Sequence, residues 1–225
     1  MKKLHLKAWL GLILLAIIMG LLVFLPAGTV RYWQAWVFLA VFLGTSLLIT
    51  IYLMKKNPAL LERRLRGGPT AEKENTQKVI MFFTSIGFIG LLVLSALDRR
   101  FGWSAMPVCL VIAGDTLILT GFYLVFLVYK ENPFSSATIE VAQSQKVIST
   151  GPYALVRHPM YAGGLLYLPG MPLALGSFWG LVPLAAMVPF LLWRLFDEER
   201  FLSRHLPGYT DYCAKVRWRL IPGVF

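Results

Sequence analysis

Apolar runs separated by short polar breaks dominate the first half of the chain. The stretches from Leu10 to Leu25, Trp36 to Met54, Val79 to Leu97 and Met106 to Tyr129 each approach the roughly 20 residues that a helix needs to cross a bilayer. Four spanning helices are therefore predicted. The segment "MKKLHLK" before the first run has the look of a secretion signal, but "LPAGTVRYW" after it lacks a small-x-small cleavage site, so the run is read as a retained helix. A fifth apolar region, Met160 to Trp193, is too long for one ordinary span and is punctuated by glycines and prolines from Gly163 to Pro189. Two shorter or bent helices forming a hairpin fit it better, because broken backbone at membrane depth is tolerated where it faces protein or a cavity. The expected fold is thus all-α and integral to the membrane, with about five to six transmembrane helices including the broken C-terminal hairpin.

The polar positions cluster differently. Residues 1–129 read as a four-helix transmembrane anchor whose one sizeable loop, "KKNPALLERRLRGGPTAEKENTQK", opens with a charged interfacial helix and passes through the turn signal "GGPT". Residues 130–225 hold most of the candidate chemistry. They contain the connection "KENPFSSATIEVAQSQKVISTGPYALVRHPMY", the hairpin, and the tail "WRLFDEERFLSRHLPGYTDYCAKVRWRLIPGVF". The tail reads as a helix leaving the membrane, a Pro-Gly break and a shorter amphipathic basic segment. Both polar blocks fall on one side of the membrane, at the two ends of the hairpin, which brings them together.

Composition agrees with this pattern: 57% of the 225 residues are hydrophobic and 15% charged, with a mean hydropathy of +0.66, outside the ordinary soluble range. Of the 22 lysines and arginines, only Arg31, Arg99 and Arg100 fall on the side opposite the termini. The positive-inside rule then places both termini in the cytoplasm. The net charge of +11 is accounted for by basic segments beside anionic lipid and calls for no nucleic acid. Cys109 and Cys213 suggest no disulfide framework, and His5, His158 and His205 have no partner at ligand spacing, so no metal is expected.

Two constellations stand out. In "GPYALVRHPMY", Gly151 and Pro152 mark a turn, and Pro159 disfavours helical geometry at His158 while itself able to start a helix near Met160. The free N–H groups of that helix start could receive an anionic or carbonyl group; alternatively Tyr153, Arg157 and Tyr161 are interfacial anchors and His158 a cap. In "WRLFDEER", Arg194 and Glu198 share a helix face beside Asp197 and Glu199. An intrahelical ion pair is the ordinary reading, but Arg before Glu is the less favourable order and these acids sit at the membrane boundary. The later "YTDY" and "VRWRLIP" read as a basic aromatic surface anchor, with a lid over a site as the less favoured alternative.

Taken in order, "QKVISTGPYALVRHPMY", an interrupted hairpin, "RLFDEERFL", "YTDY" and "RLIP" closely resemble the isoprenylcysteine carboxyl methyltransferase and phospholipid methyltransferase group of integral membrane enzymes. The resemblance extends over roughly Asn132 to Pro222. It implies that the C-terminal half binds S-adenosyl-L-methionine from the cytoplasm while a lipophilic acceptor, either a prenylcysteine-like carboxylate or a lipid amine, enters from the bilayer. Val147, Ile148, Tyr153, His158, Pro159, Met160, Tyr161 and Glu198 match the group's cofactor-binding positions, with Gln145 a looser match. Arg194 matches an arginine linked to the acceptor carboxylate; Arg194 and Glu198 are the residues it implies for catalysis. The expected partners are membrane lipids and a lipid-like substrate.

Two other readings are weighed against this one. NADPH-dependent steroid or enoyl-lipid reductases have a similar layout and a comparable "HPxYxG" stretch, but usually continue into a glutamate, as in "NYxGE". Here Met160 stands where their asparagine lies and Gly164 where their acid lies. A non-enzymatic lipid-binding scaffold would leave His158 and Glu198 without a ligand to hold.

Overall fold

The computed structural model describes residues 2–67, 71, 72, 74–141 and 145–225; most of the predicted "GGPT" turn lies outside them. Among the described residues it is all-helical. Four helices are long and apolar enough to cross a membrane: α1 (Lys2–Ala27), α2 (Trp33–Lys56), α4 (Asn75–Phe101) and α5 (Val108–Glu131). They contain the first three predicted runs, and α5 takes in the fourth from Val108 on, because Pro107 precedes the helix in extended conformation. Between α2 and α4 lies the short charged α3 (Pro58–Leu65), started by Pro58 and by Asn57, whose side chain accepts from Leu60 N at 3.1 Å.

The broken region resolves into α6 (Pro159–Ala174) and α7 (Leu181–His205), and α8 (Tyr209–Lys215) follows the Pro-Gly break. Pro169 and Pro172 sit inside α6 and Pro189 inside α7; each removes an intrahelical donor. Gly176, at φ +72°, takes the left-handed conformation that turns the chain after α6.

The hairpin is splayed. Helix α6 packs chiefly on α5, and α7 on α4, whereas α6 and α7 touch each other only sparsely. Glycine explains the close seam. A Cβ on Gly114 would lie 2.3 Å from Ala174 N, and one on Gly121 would lie 2.7 Å from the Gly163 carbonyl. The backbones of α5 and α6 therefore meet where no side chain fits, the usual device for packing helices in lipid. The core between the helices is built from Val23, Phe38, Leu91, Ile118, Met171 and Met187. Leu10, Ile13, Leu14 and Ile17 of α1 are left exposed, as expected for a lipid-facing belt.

At the end of the bundle away from the termini, Asp98 at the close of α4 accepts from Ser104 N (2.7 Å), Ser104 Oγ (2.6 Å) and Ser177 Oγ (2.5 Å). The Tyr32 hydroxyl donates to the Leu175 carbonyl at 2.5 Å. These bonds tie α2, α4 and the α6–α7 turn together. At the other end, Arg63 and Arg64 of α3 donate to the carbonyls of Pro133 (3.0 Å) and Ser136 (2.9 Å), fixing the connection that follows α5.

Candidate functional site

The polar groups at the two ends of the hairpin meet, as its topology requires. His158 caps α6 and Pro159 opens it. One turn further on, the Tyr161 hydroxyl donates to Glu198 Oε2 at 2.7 Å, and His158 Nε2 lies 3.2 Å from Glu199 Oε1. The rings of His158 and Tyr161 meet edge to face at 5.6 Å. Two consecutive acids of α7 are thus matched to two side chains of the α6 start. Arg194 does not pair with Glu198.

Glu199 is the hub of a cation cluster. Arg219 Nε donates to its Oε2 at 2.9 Å, and Arg157 Nε lies 3.2 Å from its Oε1, in ion-pair range but not aligned to donate a hydrogen bond. Burial alone would raise its pKa, but hydrogen bonds from His158 and Arg219 and the nearby charges of His158 and Arg157 outweigh that and hold the carboxyl at about 2. The tail is docked by the same group. Arg157 N and His158 N donate to the carbonyls of Trp218 and Arg219, both at 2.9 Å, and the Arg219 guanidinium stacks over Phe196 and Phe225. The segment expected to be a surface anchor is instead a strap across the hairpin ends, because Glu199 offers its arginine a half-buried carboxylate.

Arg194 is buried and has partners that the sequence reading missed. Its Nη2 donates to Glu72 Oε1 (2.6 Å) and to the Ala137 carbonyl (3.1 Å), and its Nη1 to Gln77 Oε1 (2.8 Å). Gln77 in turn donates to Asp197 Oδ2 at 2.5 Å. Glu72 and Gln77 come from the approach to α4 and its first turn, more than a hundred residues upstream. The nearest signal in the sequence is the acid-rich stretch before Asn75.

A cavity of about 370 Å³ opens where these groups converge, within the about 300–1,000 Å³ usual for small-molecule sites. Its wall includes Gln145, Val147, Ile148, Tyr153, His158, Met160, Tyr161, Arg194 and Glu198. Every residue matched to a cofactor or acceptor position therefore lines it except Pro159, which is buried at the start of α6. Away from the polar mouth it continues between the splayed helices, past Gly164, Leu165 and Leu168 of α6 and Val188, Leu191 and Leu192 of α7. The Tyr153 hydroxyl accepts from Asn132 Nδ2 at 2.8 Å; burial, with a smaller contribution from Glu198, pushes it up to about 12 against the lowering effect of that bond. Tyr209 Oη, on a wall residue, is buried without a hydrogen-bond partner. Such an orphaned group suits a polar ligand at the mouth. Among the described residues no group of three or more His, Cys, Asp or Glu could hold a metal.

A mixed polar and apolar cavity thus lies between the ends of this helical hairpin. The phospholipid methyltransferase family model matches residues 109–207. The match runs from the start of α5 past the end of α7 and shows that this stretch is similar to that family. It takes in the GPY turn, the hairpin and the acids of α7, but neither Glu72 and Gln77 nor the tail strap. Among curated proteins, the chain is similar to the Delta(14)-sterol reductase TM7SF2 of Mus musculus, 25% identical over 112 residues, 43% of this chain and 25% of that protein. It is also similar to the nickel-cobalt-cadmium resistance protein NccN of Alcaligenes xylosoxydans xylosoxydans, 28% identical over 79 residues, 33% of this chain and 35% of that protein. The chain thus spans about a quarter to a third of the length of these relatives. The family supports membrane methyltransferase chemistry in general.

Proposed function

We propose that this protein transfers a methyl group from S-adenosyl-L-methionine to a lipophilic acceptor that enters from the bilayer. The observation that carries the reading is the union of a polar mouth, where Tyr161 meets Glu198 and His158 meets Glu199, with an apolar slot between α6 and α7 in one cavity. When bound, the cofactor supplies an electrophilic methyl group on a sulfonium. Glu198, whose carboxylate receives the Tyr161 hydroxyl, accepts a hydrogen bond from the cofactor or balances its positive charge. Tyr153 and Tyr161 present aromatic faces to a cation or a base, and His158 and the first-turn N–H groups of α6 hold its polar end. Gln145, Val147, Ile148 and Met160 complete that wall, and Pro159 fixes the helix start. Arg194 stands at the junction with the slot, on the acceptor side. These residues act by placement, which for an in-line displacement supplies much of the rate.

In this reading residues 130–225 form the catalytic region on an anchor made of residues 1–129, with both termini in the cytoplasm, since the basic segments gather at the cavity end. A reductase using NADPH is the second reading, favoured by the similarity to the sterol reductase. Against it stands Gly164, where those enzymes usually carry an acid; a Cβ there would meet nothing within 4 Å, so the space is open but no carboxylate fills it. Calorimetric titration of the detergent-solubilised protein with S-adenosylhomocysteine, beside NADPH, separates the two. Saturable binding of the homocysteine compound alone supports the proposal, and binding of NADPH alone overturns it.

A further inference from the structure

Arg194 lies on α7 within one turn of the slot residues Leu191 and Leu192, so its freedom to bind bears on which head group the slot admits. Recognition of a carboxylate by a guanidinium is strongest when two parallel N–H groups grip the two oxygens, through Nε with Nη2 or through Nη1 with Nη2. Both modes need Nη2. In this protein both hydrogens of Nη2 are committed, one to Glu72 Oε1 at 2.6 Å and one to the Ala137 carbonyl at 3.1 Å, while Nη1 gives one to Gln77. The second oxygen of Glu72 accepts from Ile139 N at 3.4 Å, so the glutamate is held from both sides. It is buried and stands behind Arg194, outside the cavity wall.

We propose that Glu72 is a specificity-determining residue: by occupying Arg194 Nη2, it denies a carboxylate its bidentate grip and leaves the slot to acceptors whose head group carries no carboxylate. An incoming carboxylate would have to displace Glu72 and leave its buried charge with only the Ile139 amide at 3.4 Å, which costs more than a new pair in the same place returns. The inference rests on the reading that the slot between α6 and α7 receives a lipophilic acceptor. Gln77 is a positioning residue in the same arrangement, holding Nη1 and Asp197 together.

The test compares binding of dodecanoate and of uncharged dodecanol to the full-length protein in dodecylmaltoside micelles, with S-adenosylhomocysteine titrated in parallel. The wild-type protein is expected to bind dodecanoate no more tightly than dodecanol. Glu72→Gln, which removes the negative charge that competes for Nη2, is expected to gain at least tenfold for dodecanoate with dodecanol unchanged, and Glu72→Asp, which keeps the charge, to behave as wild type. A tenfold preference of the wild-type protein for dodecanoate overturns the proposal without any variant, and so does a folded Glu72→Gln protein that gains nothing. Absence of S-adenosylhomocysteine binding counts against the methyltransferase reading alone and leaves the head-group comparison standing.

Discussion

Asp98 and Glu198 are both acids at the ends of membrane helices, at opposite ends of the bundle, and their surroundings differ in an instructive way. Asp98 is fully buried and accepts three donors from Ser104 and Ser177 within 2.5 to 2.7 Å. Among the described residues Glu198 accepts a single hydrogen bond, from Tyr161 at 2.7 Å, and borders the cavity. An acid whose acceptor capacity is filled by its own fold closes a structure, whereas one left with spare capacity on a cavity wall is placed to take a ligand. What separates them is how far each carboxylate is satisfied by its own fold.

Substitutions sharpen that contrast. The largest effect is expected from Asp98→Ala, which orphans Ser177 and the Ser104 amide and should cost about 3 kcal/mol of stability, read as thermal unfolding in detergent, with cofactor affinity little changed while the protein stays folded. Glu198→Gln should reverse the pattern, weakening S-adenosylhomocysteine binding about tenfold, or about 1.4 kcal/mol, while unfolding shifts by less than about 1 kcal/mol. Ser177→Ala removes one of the three donors and should cost about 1 kcal/mol without any effect on binding. If Asp98→Ala and Glu198→Gln shifted stability and binding in equal proportion, the distinction between a closed and an open acid would fail.

A smaller effect concerns Glu199, whose cations dock the tail. Its carboxyl is held near 2 against an ordinary value of 4.5, so its contribution is fully present above 4.5 and is lost as the pH falls from there through 2. Amide exchange at Arg157 and His158, corrected for its intrinsic pH dependence, should accelerate across that window as their bonds to Trp218 and Arg219 open. Glu199→Gln should show the loosened tail at pH 7.

Much of this was legible in the sequence. Apolar runs marked the four long helices because a bilayer demands length and leaves little choice of pattern. Glycines and prolines after Met160 marked the broken hairpin, and the joining of Tyr161 to Glu198 follows from its topology. Three features were not readable. Glu72 and Gln77 reach Arg194 from a charged connection with no periodicity to tie it to α7. The bonds from Asp98 to Ser177 span 79 residues between helix ends with no shared motif. The splay of α6 from α7, which makes the slot, depends on Gly114 and Gly121 drawing α6 onto α5, and a glycine in an apolar run does not announce which neighbour it admits.

The central claim is that Glu198 faces a cofactor site, and it is tested most directly by titrating S-adenosylhomocysteine into the wild-type and Glu198→Gln proteins side by side, with unfolding recorded on the same samples. Saturable binding by the wild type and about tenfold weaker binding by an equally stable variant is the result the account predicts. Equal affinity in the two folded proteins would contradict it.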